Sequence, residues 1–337
     1  MINIALIGYG YWGPNLARNW NQNKRACLKY ICDIKDDRIA QAKVSYQHTQ
    51  TVKDYHEILA DSSVDAVNIA TPIFTHFEIA RDVLLSGKHV LAEKPLVASS
   101  QQMDELIKIA SEKDKILMVG HTFLYSPPVI KIREIIKSGS IGELDFIQLT
   151  RINLGRIKHD YNVIWDLAPH DFSILEFWTD KLPQWIQVTG KSSVYKNVCD
   201  VAFINLSYPG DLLANIHLSW LSPVKLRQSY IVGKKRMIVY DDTHPSEKVK
   251  EFDMGVDIIK EPETFGEFQL TYRTGDIHIP HLTNTEPLSA ECNHFIDCIE
   301  SGATPRTHSM HALRVIKMIE AAQESLMRNG EKIYIEM

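Results

Sequence analysis

The sequence lacks the features of several large classes of protein. Its five cysteines are an odd number and include no CxxC pair, so neither a disulfide framework nor a cysteine zinc site is expected. No segment contains the ~18 apolar residues of a membrane span, and we expect no signal peptide. The net charge of −5 argues against a nucleic-acid or membrane partner. We therefore expect a cytoplasmic protein with reduced thiols.

What is present is an ordinary globular composition, 45% hydrophobic and 23% charged, over 337 residues. At roughly 100–200 residues per domain, this length predicts two domains. The pattern of apolar runs changes near residue 120. We therefore predict one domain over residues 1–120 and a second over residues 121–337.

Short apolar runs alternate with helix-length segments in the first domain. Such runs are typical of parallel strands that are covered on both faces. The predicted strands are 2–7, 30–32, 66–70, 89–92 and 116–119. The predicted helices are 14–22, 36–45, 55–60, 74–86 and 100–113, the last with Ser99 or Ser100 as its N-cap. This βαβ alternation predicts a doubly wound α/β domain of the Rossmann type.

The second domain has runs of strands interrupted by a few helices. This order predicts an α+β domain with a large, open and mostly antiparallel sheet. The predicted strands are 144–153, 184–193, 201–208, 212–219, 226–232, 236–241 and 332–336. The predicted helices are 126–137, 167–178, 288–301 and 310–328. The segment 242–279 is polar and contains Pro and Gly, so it is predicted to be an extended excursion.

A phosphate-binding loop is predicted directly after the first strand. Gly8, Gly10 and Gly13 form a GxGxxG pattern between a strand and a helix, and Asp33 ends the next strand. Gly8 permits a tight turn, Gly10 a close approach of the pyrophosphate, and Gly13 close packing of helix on strand. The helix N-terminus, with Pro14 in its first turn, offers N–H groups to phosphates. The alternative is a structural turn with fortuitous glycines.

Asp33 indicates which dinucleotide the loop takes. Its carboxylate is expected to accept hydrogen bonds from the adenosine ribose and to repel a 2′-phosphate, which favours NAD over NADP. Lys35 and Arg38 lie close by in the sequence and would soften that repulsion. The predicted NAD site also includes Tyr11 and Trp12, which lie within the glycine loop.

Three further runs connect the sequence to a known family. They are Ala-Thr-Pro at 70–72, Glu-Lys-Pro at 93–95 and Asp-Leu-Ala-Pro-His at 166–170. Together with the glycine loop, they make the chain resemble the glucose–fructose oxidoreductase, inositol dehydrogenase and MocA family over nearly its whole length. Within the family, residues 9–15 and 162–166 most resemble the UDP-N-acetylhexosamine 3-dehydrogenases.

The resemblance implies hydride transfer between a sugar or polyol carbon and the nicotinamide of NAD. It also implies that the sheet of the second domain forms the interface of a homodimer or homotetramer. We expect oxidation of a sugar hydroxyl, at C3 of a UDP-N-acetylhexosamine or its uronate. The alternatives are an inositol or free-sugar dehydrogenase, a 3-keto-sugar reductase, and a non-catalytic NAD-sensing scaffold.

His170 is the candidate base for the hydroxyl proton, because histidine titrates near neutrality. Asp166, one helical turn earlier, is its candidate partner. Because Pro169 suits only a first helical turn, the helix is expected to begin near Leu167 with Asp166 close to the N-cap. On spacing alone, a capping Asp166 and a core His170 are favoured. The resemblance reverses that preference. No HxxxH pair or Cys/His cluster is present, so no metal is expected.

Lys94 follows a buried-looking strand, at the sheet edge where ligands bind in open α/β folds. Its ammonium would stabilise a developing alkoxide, or the desolvated amine would act as the base. Glu93 is expected to contact the cofactor ribose or to hold Lys94, and the family often has a cis bond after that lysine. Thr71 and Pro72 are expected to border the cofactor. His76 is expected near the nicotinamide ribose, with a structural role as the alternative.

Five residues of the second domain are predicted to bind substrate. They are His121, Tyr125, Arg151, Asn153 and Trp165. Arg151 would bind a phosphate or carboxylate through its planar guanidinium, or would be a salt-bridged sheet residue. Trp165 would stack on the nicotinamide or a sugar ring, or would pack in the core. The substrate is expected between the two domains.

Overall fold

The first part of the chain forms a parallel sheet of six strands. A computed structural model describes residues 1–260 and 269–336. The strands are β1 (Ile2–Ile7), β2 (Ala26–Cys32), β3 (Gln50–Val52), β4 (Ala66–Ile69), β5 (His89–Glu93) and β6 (Leu117–Gly120). Their order, β3-β2-β1-β4-β5-β6, is that of a doubly wound dinucleotide-binding fold. The predicted Rossmann domain is therefore confirmed. Only β3, a three-residue strand, was not predicted.

Helices connect these strands much as the sequence pattern predicts. They are α1 (Gly13–Gln22), α2 (Asp36–Ser45), α3 (His56–Ala60), α4 (Ile73–Leu85) and α5 (Ser100–Glu112). The Ser99 hydroxyl accepts a hydrogen bond from the Gln102 N–H at 3.2 Å and caps α5. The carboxyl ends of the strands therefore lie at one edge, as the connections of a parallel sheet require.

Nine strands form a second sheet. They include β7 (Leu144–Ile152), β8 (Trp185–Lys191), β9 (Val201–Ser207), β10 (Leu213–Ser219), β11 (Leu226–Gly233), β12 (Met237–Asp241), β13 (Val249–Lys260), β14 (Gln269–His278) and β15 (Ile333–Tyr334). Their order is β14-β13-β12-β11-β7-β10-β9-β8-β15. The pair β7–β10 is parallel, whereas β7–β11 and β9–β10 are antiparallel. The predicted mostly antiparallel sheet is therefore confirmed.

The prediction of an extended excursion over 242–279 was wrong. Strands β13 and β14 pair with each other, and β13 also pairs with β12. The apolar pattern did not predict β13 because charged residues interrupt it, namely Lys250, Glu251 and Asp253. The strand is stabilised by backbone pairing rather than by an apolar run. Residues 261–268 of that segment lie outside the described residues.

The chain divides into two units whose limits differ from the predicted domains. The first unit is Met1–Ser126 with Thr285–Lys317, and the second is Pro127–Asn284 with Met318–Met337. The remaining helices are α6 (Pro127–Ser138), α7 (Val163–Thr179), α8 (Pro287–Ser301) and α9 (Ser309–Met327). The predicted boundary at residue 120 lies near the observed one, but α8 was expected in the other domain.

Helix α8 joins the first unit by packing on α1. The rings of Trp20 and Phe295 meet edge-on with centroids 6.3 Å apart, and both side chains are fully buried. Arg18 and Glu286 form an ion pair at 2.5 Å beside them. The amphipathic pattern of α8 predicts that one face is buried, but it does not say which sheet supplies the partner.

In the second unit, α7 packs on one face of the sheet. Along β9, Ala202, Ile204 and Leu206 are buried, whereas Phe203 points to the other face and is exposed. This alternation is that of a sheet covered on one side. Among the described residues, no helix has both the length and the apolar character needed to cross a bilayer.

Candidate active site

The glycine loop after β1 has a shape that only glycine permits at two positions. Gly8 has φ +99°, and a Cβ there would lie 2.6 Å from the carbonyl carbon and oxygen of Ala70. A Cβ on Gly13 would lie 2.4 Å from the Gly8 carbonyl oxygen. Helix α1 begins at Gly13, so its N-terminus, the positive end of the helix dipole, lies at this loop. The loop therefore fits the pyrophosphate of a dinucleotide.

Asp33 fastens this loop to the end of β2. Its Oδ2 atom accepts the Tyr9 N–H at 2.8 Å, and its Oδ1 atom accepts the Lys35 N–H at 3.0 Å. The Arg38 guanidinium pairs with Oδ2 at 3.1 Å and lies against Gly10, where a Cβ would be 3.2 Å from Nη1. The carboxylate thus stands beside the glycine loop, as an NAD site requires, and Arg38 offsets its charge.

Asp33→Asn is expected to lower the ratio of NAD affinity to NADP affinity by about 10–100-fold, since hydrogen bonds to a charged group contribute about 1.5–3 kcal/mol each. The amide retains an oxygen for the Tyr9 N–H but loses the charge that repels a 2′-phosphate and engages Arg38. Fluorescence titration with both cofactors measures the ratio. Asp36→Asn, at an exposed residue of α2 paired with Lys53, is the control. An equal loss of both affinities would contradict this role.

His76 joins two loops at the carboxyl edge of the sheet. It is buried, with Nε2 2.7 Å from the Thr71 carbonyl oxygen and Nδ1 3.1 Å from that of Pro95. Burial lowers the pKa of the imidazole. These contacts are those of the structural alternative, and they fix the loop of Thr71 and Pro72 relative to the loop after β5. A ribose contact of His76 stays a prediction.

Glu93 and Lys94 lie where β5 ends. The Lys94–Pro95 peptide bond is cis, as the family resemblance implied. Lys94 is half-buried, and its charge opposes the effect of burial on Glu93, whose pKa is raised to about 7. The Glu93 carboxylate lies over the neighbouring strand, where a Cβ on Gly120 would be 3.2 Å from Oε1.

Sequence reasoning missed Glu291, which lies in α8 with its whole side chain buried. Its Oε2 atom accepts a hydrogen bond from the Thr122 hydroxyl at 2.9 Å. Burial raises the pKa of Glu291 well above its usual range, and the charge of Glu93 adds to the effect. The sequence contains one indication of this residue. Glu291 shares the apolar face of α8 with Leu288 and Phe295, where a carboxyl group has no packing role.

His121 and Tyr125 belong to the first unit, not to the second domain as predicted. His121 is buried, with its ring 5.3 Å from that of His311, and burial lowers its pKa well below the usual value. The Tyr125 hydroxyl lies 3.4 Å from the Thr307 hydroxyl. Both side chains are interior groups, and their substrate contacts stay predictions.

In the second unit, Asp166 and His170 lie one turn apart on α7. The expectation that this helix begins near Leu167 with Asp166 close to the N-cap was wrong. It begins at Val163, and the Asn162 side chain caps it by accepting the N–H groups of Ile164 and Trp165. Pro169 lies inside the helix, where it has no N–H to donate to the preceding turn.

The Asp166 carboxylate accepts a hydrogen bond from a side chain outside α7. The Trp220 indole N–H, just after β10, donates to Asp166 Oδ2 at 3.0 Å, and Trp220 is fully buried. The carboxylate is therefore fixed by a rigid side chain on the face of α7 that it shares with His170. His170 and Trp165 are both half-buried.

Arg151 adopts the second of its predicted alternatives. Its guanidinium donates from Nε and Nη2 to Asp171, with the shortest contact 2.7 Å, and both side chains are buried. It is a salt-bridged sheet residue of β7. Asn153 follows that strand, and its N–H donates to the Ser219 carbonyl oxygen at 3.2 Å.

Two family models match this chain. The model of the oxidoreductase family with an NAD-binding Rossmann fold, GFO/IDH/MocA, matches residues 2–121, and that of the GFO/IDH/MocA C-terminal domain matches residues 129–239. The chain belongs to this oxidoreductase family. The resemblance drawn from the sequence motifs is thus confirmed, and the first unit carries the NAD-binding domain of the family, which confirms NAD as the cofactor.

Similar proteins include sugar and polyol dehydrogenases. A myo-inositol 2-dehydrogenase of Thermotoga maritima is 28% identical over 181 residues, which span 52% of this chain and 54% of that protein. A UDP-N-acetylglucosamine 3-dehydrogenase of Acidithiobacillus ferrooxidans is 25% identical over 71% of this chain and 74% of its own length. The chain thus spans about half the length of the first relative and about three quarters of the second.

Solved structures share the whole fold. That of UDP-N-acetylglucosamine 3-dehydrogenase from Acidithiobacillus ferrooxidans has a TM-score of 0.81 at 22% identity, over 97% of this chain and 98% of that one. A putative myo-inositol dehydrogenase from Sinorhizobium meliloti 1021 has a TM-score of 0.83 at 22% identity, with 100% of both chains covered. At these identities, the likeness establishes the fold.

Proposed function

We propose that this protein is an NAD-dependent dehydrogenase of a sugar or polyol, and that it oxidises C3 of a UDP-N-acetylhexosamine or its uronate. The family supplies the oxidoreductase class and the cofactor. The narrower substrate is supported by residues 9–15 and 162–166, which resemble the UDP-N-acetylhexosamine 3-dehydrogenases, and by the relative from Acidithiobacillus ferrooxidans that carries that name.

Three side chains carry the proposed chemistry. Oxidation of a secondary alcohol removes a proton from oxygen and a hydride from carbon, and NAD supplies the hydride acceptor when bound. His170 takes the hydroxyl proton as general base. Asp166, fixed by Trp220, orients the imidazole and favours its protonated form. The Lys94 ammonium donates a hydrogen bond to the substrate oxygen and stabilises its negative charge as the proton leaves.

The capping of α7 is the observation that supports this assignment most directly. Asn162 accepts the N–H groups at the start of the helix, so Asn162 and not Asp166 is the N-cap residue. The Asp166 carboxylate is instead held by the Trp220 indole N–H, on the helix face that it shares with His170. A carboxylate in that position can orient the histidine, as carboxylates do for catalytic imidazoles.

Formation of NADH tests the proposal. The protein is incubated with NAD and a panel of UDP-N-acetylhexosamines, their uronates, free sugars and inositols, and NADH absorbance is followed. We expect the highest kcat/KM with a UDP-N-acetylhexosamine or its uronate. Lys94→Met should lose at least about 100-fold in kcat, a magnitude typical of a lost alkoxide donor. Lys108→Met, at an exposed residue of α5, is the control.

Two other results of this assay would change the proposed function. Faster turnover of myo-inositol or a free sugar would replace the nucleotide-sugar assignment with that substrate class. NAD binding without NADH formation from any of these compounds would contradict the enzyme proposal and support an NAD-sensing scaffold.

We also propose that the protein works in the cytoplasm as a homodimer or homotetramer. The five cysteines are all free thiols, which suits a reducing compartment. The uncovered face of the second sheet carries exposed Phe203, Leu213 and Tyr230, and the Phe203 ring stacks on His217 at 4.4 Å. Such an apolar patch favours burial against another subunit. Light scattering of the purified protein measures the subunit number.

A further inference from the structure

Asp33 is almost enclosed by its own hydrogen-bond partners. Its side chain is only 4% exposed, although the adenosine ribose of a dinucleotide has to reach it. Oδ2 accepts the Tyr9 N–H and an N–H of the Arg38 guanidinium, and Oδ1 accepts the Lys35 N–H. A carboxylate has about four acceptor positions, so these three partners among the described residues leave one. The two hydroxyls of an adenosine ribose need two.

Of these three partners, Arg38 is the one that is able to leave. The Tyr9 and Lys35 donors are backbone groups, and they are fixed by the glycine loop and by the turn after β2. Arg38 instead reaches Asp33 from the first turn of α2 with a flexible side chain that is 35% exposed, and the two are joined at 3.1 Å through Nη1. A partly exposed ion pair of this kind is weak. Ribose hydroxyls can therefore take the place of the guanidinium.

Gly10 gives the guanidinium a place beside the loop that does not depend on Asp33. A Cβ on Gly10 would lie 3.2 Å from Nη1, 3.5 Å from Cζ and 3.6 Å from Nη2 of Arg38. Because these three distances are similar, the guanidinium lies face-on to the glycine. At Gly8 and Gly13 a Cβ would instead collide with backbone atoms. The absence of a side chain at Gly10 thus holds the guanidinium at the loop, whichever group it pairs with.

The other charged side chains on this turn and on the start of α2 leave Arg38 to Asp33. Asp36 pairs with Lys53 at 2.5 Å, and the side chains of Lys35 and Asp37 are exposed. A 2′-phosphate on the adenosine ribose would therefore meet a guanidinium as well as a carboxylate. The planar guanidinium is suited to phosphate, because it donates two parallel N–H groups to two oxygens.

We propose that Arg38 is an exchangeable partner of Asp33 that lets this protein bind NADP as well as NAD. When NAD binds, the two ribose hydroxyls take the Asp33 acceptor that Arg38 gives up and the one that is left. When NADP binds, the guanidinium donates to the 2′-phosphate, and its charge offsets that of Asp33. This inference rests on the NAD dependence in the proposed function but not on the sugar substrate.

Isothermal titration of the full-length protein with NAD and with NADP, without a sugar, tests the proposal. The wild-type protein should bind NADP at most about 100-fold more weakly than NAD, since hydrogen bonds from a charged group offset the repulsion. Arg38→Met keeps a long side chain without the charge. It should lose at least about 10-fold in NADP affinity, whereas its NAD affinity should stay constant or rise. Arg81→Met is the matched control, because Arg81 pairs with Asp82 and is 38% exposed.

The NAD affinity of each variant shows whether the loop is still folded, because the two cofactors differ only in the 2′-phosphate. If Arg38→Met weakens NAD and NADP equally, the guanidinium only supports the loop, and the proposal is overturned. A wild-type preference for NAD of more than about 100-fold also overturns it. Arg38→Lys keeps the positive charge and should retain more NADP affinity than Arg38→Met. Equal losses in these two variants would show that a charge at this position does not recognise the phosphate.

The exchange at Asp33 has its own measurement, which needs no turnover. NMR of the arginine side-chain N–H groups reports how freely each guanidinium rotates, and the Arg38 signal is identified by its loss in Arg38→Met. The bond to Asp33 restrains this rotation, so saturation with NAD should make it faster. A rotation rate that NAD leaves unchanged would overturn the exchange. If the wild-type protein oxidises no sugar, the proposed function fails while the titration and NMR results still stand.

Discussion

Replacing His170 with asparagine is expected to lower kcat by about 10²–10⁴-fold, the usual contribution of a general base. Asparagine keeps a polar side chain of similar size but cannot take up a proton. NAD affinity should stay unchanged, because the glycine loop and Asp33, which we propose bind the dinucleotide, lie in the first unit. Single-turnover NADH formation and NAD titration measure the two quantities. His281→Asn, at an exposed residue, is the control.

The pH profile distinguishes a lost base from a distorted helix. A missing base makes the remaining rate rise with pH, since hydroxide replaces the imidazole as proton acceptor. Asp166→Asn should also lower kcat, but by a smaller factor than His170→Asn. It removes the group that orients the base and not the base itself. Unchanged turnover in His170→Asn would assign the base role to another group, with Lys94 the first candidate.

Gly8→Ala is expected to weaken NAD binding by at least about 100-fold and to destabilise the first unit. An alanine at φ +99° costs about 1–2 kcal/mol in backbone strain alone. Its Cβ also collides with backbone atoms of Ala70, 2.6 Å away, and these have no side-chain freedom with which to move aside. The loop between β1 and α1 must therefore shift away from the position that holds the pyrophosphate. Isothermal titration with NAD measures the loss.

Gly87→Ala is the matched control for this variant. Gly87 follows the C-cap of α4 with φ +79°, and nothing lies within 4 Å of a Cβ built there. The two variants share the strain of a positive φ, so the difference between them isolates the collision. Gly87→Ala should keep its NAD affinity and lose only about 1–2 kcal/mol of stability. Equal NAD affinities in the two variants would mean that the loop tolerates a Cβ at Gly8.

The sequence predicts the first unit well because each signal there is local. Strand β1 and helix α2 have their predicted ends, since an apolar run and the acidic residues of a first helical turn are read without knowledge of the rest of the chain. The glycine loop and Asp33 were also predicted, because the distance between them follows from one strand–helix–strand unit.

Features that depend on distant partners were harder to predict. The interpretation of α7 failed because Pro169 suggests a helix start, whereas the side chain of Asn162 caps the helix two turns earlier. For Arg151 the sequence did not decide between an anion-binding residue and a salt-bridged one, because only the fold brings its partner Asp171 close. Glu291 has no neighbour in the sequence that indicates Thr122 or Glu93, and only the return of α8 to the first unit brings them together.

That return has a consequence for biosynthesis. The core contact of Trp20 with Phe295 joins residues that are far apart in the sequence. A ribosome adds about 5–20 residues each second, so the six-stranded sheet spends many seconds exposed before α8 emerges. During that interval the indole of Trp20 lacks its ring partner, and chaperones have a hydrophobic surface to recognise. The dinucleotide-binding unit is therefore completed only after the strands of the second sheet up to β14 have been synthesised.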